Sequence, residues 1–198
     1  MKNTITCIRE EILQYFDEKG LINDEINTTY SPDNKYFFRS FPYRQCKPDC
    51  NWIVTKIEVW NNSNGKKIFD FIRSDDSLFH CWIKTEKCDY LFLSEDLEGQ
   101  SVWDLTNHSF SSFSSESDRF IWIDYYPSPN HQKMAIIGCY WGCVSELVIY
   151  DIVNPLEIPF RILYRERMSG NSVRWVGNDK ICILFPDGSV SNVKGFNG

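Results

Sequence analysis

The sequence predicts an all-β repeat protein, about four small antiparallel sheets in series behind one N-terminal helix. Three observations carry this. From residue 26 onward, short runs rich in Val, Ile, Phe, Tyr and Trp alternate with clusters of Asn, Asp, Gly, Ser and Pro, which is strand–turn–strand punctuation. Aromatic residues make up 16% of the 198-residue chain, a share that suits pleated, half-buried surfaces. The runs also recur with a period of about 45 residues.

The first 25 residues have a different pattern. Ile8, Ile12, Leu13 and Phe16 fall at helical spacing, Glu10, Glu11, Gln14 and Asp17 take the other side, and Gly20 is the expected stop. This predicts a helix that caps one end of the β core, or that docks a partner.

Residues 26–198 divide into units of about 26–74, 75–117, 118–168 and 169–198, each read as strands a, b, c and d. Strand a is Ile26 to Tyr30, Phe79 to Ile83, Phe120 to Ile123 and Val173 to Val176. A polar turn leads into strand b at Tyr36, Tyr90, Met134 and Ile181. Strand c ends on an aromatic residue and a polar one in Trp60-Asn61, Trp103-Asp104 and Tyr150-Asp151. Strand d is Lys67 to Ile72, Ser109 to Phe113 and Phe160 to Tyr164. In the fourth unit c is expected at Ser189 to Val193, and d is missing.

The Tyr30-Ser31-Pro32-Asp33 turn, Val102-Trp103-Asp104 closing a strand c, and the blade-length period together resemble the WD40 and TolB-like propeller families over residues 26–193. The resemblance implies a propeller-like array, either a closed four-blade ring or an open partial propeller. It implies no function, because propellers host many. An array lacking its last strand must protect its edges. Three devices would serve: Thr4 to Ile8 as the missing strand, the N-terminal helix over one edge, or pairing with another chain, a homo-oligomer included.

Composition narrows the function classes. A net charge of −6 argues against nucleic-acid binding, which needs a concentrated cationic surface. The first residues form no secretory signal, and no apolar run approaches the ~20 residues of a membrane span, so a cytoplasmic location is expected. No phosphate-cradling glycine loop or nucleophile elbow occurs, and no cofactor is implied. His80, His108 and His131 read as turn or edge residues. Asp75-Asp76 and Glu116-x-Asp118 fall where turns favour acidic residues for backbone reasons.

The expected function is therefore a protein-interaction or scaffold module. The alternatives are a small hydrolase or lyase with a central site, and a structural subunit that completes an open sheet edge. The b–c connections mark the candidate surface: Arg39, Tyr43 and Arg44 in the first unit, Tyr140 and Trp141 in the third. Arg, Tyr and Trp dominate binding hot spots. The same connections hold Cys46-x-x-x-Cys50 and Cys139-x-x-x-Cys143. Three readings stay open for these cysteines: free thiols, a disulfide within a loop, or a four-thiolate zinc site.

Overall fold

The computed structural model describes residues 10, 12–14, 16–22, 26–44, 53–73, 78–94, 99–114 and 119–196. It is all-β, 57% strand, in four antiparallel sheets. The first sheet is β1 (Asn27–Tyr30), β2 (Tyr36–Arg44), β3 (Ile53–Asn61) and β4 (Lys66–Arg73). The second is β5 (His80–Lys84), β6 (Asp89–Ser94), β7 (Gly99–Asp104) and β8 (Ser109–Ser114). The third is β9 (Ile121–Pro127), β10 (Lys133–Cys139), β11 (Glu146–Asp151) and β12 (Ile162–Arg167). The fourth has three strands, β13 (Ser172–Trp175), β14 (Lys180–Leu184) and β15 (Lys194–Gly195). Strands within every sheet follow chain order, so each sheet is an up-and-down meander.

Two expectations are corrected. Where a substantial N-terminal helix was expected, the named helical element is a single 3-10 turn, Glu18–Gly20. Residues 1–9, 11 and 15 of that expectation lie outside the described residues, as does the Thr4 to Ile8 strand. Gly20 is there for proximity, because a Cβ on it would lie 2.4 Å from the Arg44 carbonyl oxygen. This turn runs alongside the far half of β2, with Leu21 bridged to Tyr43 and the Ile22 N–H donating to Pro42. Second, the third strand of the last sheet is irregular. Val190 bridges Leu184, and regular pairing resumes only at Lys194 opposite Ile181. No described helix is long and apolar enough to cross a membrane.

One hydrogen bond aligns the four units. The N–H just past strand c donates to the last residue of the a–b turn: Asn62 to Lys35, Leu105 to Asp89, Ile152 to Gln132 and Phe196 to Asp179. The a–b turns themselves repeat. In Ser31-Pro32 and Ser128-Pro129 the serine hydroxyl donates to Asp33 or Asn130 and accepts the N–H of Tyr36 or Lys133. Asn34 and His131 both take a left-handed φ of 57° there.

Because side chains alternate along a strand, each sheet has two faces. We call them leading, toward the preceding sheet, and trailing, toward the next. Three buried clusters follow. Tyr36, Phe38, Ile57, Val59 and Phe71 of the first sheet meet Leu91, Leu93 and Trp103 of the second. Phe92 and Val102 of the second meet Met134, Ile136 and Val148 of the third. Ala135, Ile137, Leu147 and Ile149 of the third meet Ile181 and Ile183 of the fourth. Consecutive sheets thus pack leading slots into trailing slots, and burial of these apolar side chains is the main force joining them. No cluster of described residues joins the fourth sheet to the first.

Candidate functional site

Three of the candidate binding residues belong to a strand, because β2 runs on to Arg44 and leaves only residues 45–52 as the b–c connection. Arg39 is exposed, with its guanidinium 5.4 Å from the Phe37 ring centre. Tyr43 is buried, its ring edge-on to Phe16 at 4.7 Å, and burial raises its pKa. Arg44 is exposed. Tyr140 is half-buried between Phe120 and the Arg165 guanidinium, while Trp141 beside it is 64% exposed. No described contact joins the first unit's set to this pair. Cys139 is half-buried and Cys143 exposed, and both are free thiols, whereas Cys46 and Cys50 lie outside the described residues. Asp75, Asp76, Glu116 and Asp118 also lie outside them. The described residues hold no group of His, Cys, Asp or Glu suited to a metal.

At the opposite end of the strands, the a–b turns carry charges in reciprocal pairs. Lys84 donates to Asp33 at 2.7 Å, and Lys35 to Asp89 at 2.5 Å, across the first and second sheets. Lys133 pairs with Asp179 across the third and fourth. The hydrogen bond from Lys84 holds the Asp33 carboxyl well below the usual carboxylate range, and Asp89 holds Lys35 above the usual lysine range. A small pocket opens between these turns, lined by Pro32, Tyr36, Trp82 and Tyr90 with Asp33, Lys84 and Asp89 around it. The charges satisfy one another, so the arrangement works as a clamp between sheets.

Other titratable groups between the sheets are buried or half-buried. Burial pushes the Cys81 thiol up to about 12, leaving almost no thiolate near neutral pH. Burial lowers the His80 pKa, and its Nδ1 faces the Leu78 carbonyl at 3.3 Å. Arg73 is fully buried and donates to the Ser94 hydroxyl, tying the first sheet to the second.

The candidate site is instead found at the two ends of the stack. The aligning hydrogen bond places Arg39 in the slot held by Leu93, Ile136 and Ile183, and Glu58 in the slot held by Ser101 and Val148. The leading face of the first sheet is therefore charged at the Arg39 slot, which is aliphatic in every later sheet, and at the Glu58 slot, which is uncharged in the second and third. Phe37 stacks on Trp60 at 6.3 Å beneath Arg39 and meets Tyr30 at a tilt at 5.4 Å, with Tyr30 itself 52% exposed. Its other charges are paired, Glu58 with Lys56 and Lys67, and Lys67 with Asp70.

The trailing face of the fourth sheet lacks such a finish. It carries Cys182 and Leu184 from β14, with Arg174 opposite Cys182. Val190 bridges Leu184, and the Lys194–Ile181 register puts Val193 opposite Cys182. Val176, Val190 and Val193 are 42%, 48% and 52% exposed. Arg174 and Lys180 are exposed there, and among the described residues no carboxylate pairs with either. Sequence reading missed this face because it requires knowing which parity of each strand points forward. Once Trp60, Trp103 and Tyr150 are aligned, the polar substitutions Arg39 and Glu58 could have revealed it. No protein-family model matches the chain, and no curated protein does.

Proposed function

We propose that the chain is a non-enzymatic protein-interaction module, a propeller-like array left open, whose binding surface is the trailing face of its fourth sheet. The supporting observation is the contrast between the two ends. Stacked repeats expose one sheet face at each end, and a terminal repeat that stays in water carries a polar outer face. The first sheet has that polar face in Arg39, Glu58, Lys56 and Lys67. The fourth has three exposed valines and, among the described residues, no fourth strand. Apolar side chains grouped on one exposed face mark an interaction site more often than scattered ones do.

A photo-crosslinking residue placed in turn at Val193, Arg39 and Trp141, in protein expressed in its native source, tests this reading. The expected result is a discrete crosslinked product from position 193 and none from position 39. Products from position 39 alone would overturn it. A second reading, favoured by the exposure of Trp141, puts the surface at the b–c connections, and products from position 141 alone would select it.

A further inference from the structure

Resting on that reading, we propose that the fourth sheet's trailing face takes an acidic β-forming segment of a partner protein, with apolar side chains alternating with carboxylates. The apolar half follows from the packing rule inside the array. Each trailing face receives a leading face whose strands set an aliphatic or aromatic side chain at every second position, as Met134, Ile136 and Val148 do on the second sheet. Val176, Val190 and Val193 are exposed on this face, around a half-buried Leu184 and a Cys182 that is 1% exposed, so the receiving surface is the valine rim of the face.

The acidic half follows from charge. In a chain of net charge −6, most cations at sheet junctions are already paired: Lys35, Lys84, Lys133 and Lys194 each have a carboxylate. Arg174 and Lys180 are the exceptions, and both project from the apolar face itself. Arg174 lies opposite Cys182, and Lys180 shares the parity of Cys182 and Leu184. Covering this face with an uncharged partner would desolvate two cations without compensation, a cost that carboxylates would offset. A second copy of this chain set face to face would bring like charges together. One set leading face first would bring Glu58 and Asp70, which Lys56 and Lys67 already neutralise, together with the further cation Arg39.

The face is small. Three strands about 4.8 Å apart and some five residues long cover roughly 240 Å² in plan. A stable interface buries about 800 Å² per partner. The binding is therefore expected to be weak and strongly dependent on charge and salt.

The test uses the full chain with labelled valine and isoleucine methyl groups. It is titrated with a hairpin peptide of alternating Val and Glu, then with its Val and Lys counterpart. The expected result is that the acidic peptide moves the methyl signals of Val176, Val190 and Val193, with affinity about tenfold above the basic peptide. Arg174→Glu with Lys180→Glu should invert that preference, while unchanged Ile149 and Ile181 methyl signals certify the fold. Movement by both peptides alike would overturn the acidic partner and leave the binding face standing. No movement with either would remove both. Signals that depend on protein concentration alone would show that a second copy takes the face, and would overturn the proposal.

Discussion

The leading face of the first sheet and the trailing face of the fourth occupy equivalent places at opposite ends of one stack, yet they are built differently. At the first, Phe37 and Trp60 lie stacked beneath Arg39 and beside a paired group of Lys56, Glu58, Lys67 and Asp70. At the second, Val176, Val190 and Val193 meet water, and Arg174 and Lys180 have no counter-charge among the described residues. Terminal repeats that end in solvent carry a polar outer face, and the proposed function reads this difference as a finished end against one that takes a partner. Every junction between sheets uses the rule that the first end has abandoned.

The largest effects should separate junctions from ends. Trp103 and Trp60 hold the same slot. Trp103 is 2% exposed and packs against Phe69 and Phe71 of the preceding sheet, while Trp60 has no preceding sheet among the described residues. Trp103→Ala should cost about 3–5 kcal/mol in urea unfolding. Trp60→Ala should cost about half that or less, as expected for a partly exposed ring. Equal losses would mean that a sheet covers the first leading face and that the array closes.

Glycine substitutions sharpen the same contrast. A Cβ on Gly138, inside the third sheet, would lie 2.2 Å from the Ile121 carbonyl oxygen and against the Phe120 ring. Gly138→Ala should destabilise by about 1–3 kcal/mol through overpacking. Gly195, at the open end, would bring its Cβ no closer than 3.9 Å, to the Lys180 side chain. Gly195→Ala should leave the unfolding free energy within about 0.5 kcal/mol of the parent. A large loss there would show that the open end is packed.

The smallest effect concerns the clamps. Lys84 depresses the Asp33 pKa, so this carboxylate adds stability above its unfolded pKa of about 3.9. That stability is lost as pH falls through the lower folded value. Solvent screening keeps the contribution below about 1 kcal/mol. Asp33→Asn should flatten the acid limb of a stability–pH curve and change little at pH 7 beyond that amount. An unchanged acid limb would remove the clamp from the account.

Much of the fold was legible because turns are local. The Ser31-Pro32 and Ser128-Pro129 turns, and the Trp60, Trp103 and Tyr150 slot, emerge from neighbouring residues and placed strands b and c in the first three units. In the N-terminal pattern Glu10, Ile12 and Leu13 are helical and Ile12 is buried, but Leu13, apolar at helical spacing, is 55% exposed. Arg39 to Arg44 read as a loop because of its charges and Pro42. Its pairing with Ile53 to Glu58 and the support of Leu21 and Ile22 are long-range contacts that no local pattern announces. The candidate surface was the least legible part. Whether Val193 faces water depends on which sheet follows it, and the candidate residues were chosen by type without reference to which face each one joins.

The central claim is that the free chain leaves the fourth sheet's trailing face open to water and keeps its junctions shut. Solvent paramagnetic relaxation, with a neutral gadolinium chelate on the methyl-labelled monomer, measures this directly. Strong broadening of Val176, Val190 and Val193 beside protected Ile136, Ile149 and Ile181 is the expected result. Protection of Val190 and Val193 to the level of Ile149 in the monomer would contradict it, since the chain would then be covering its own end.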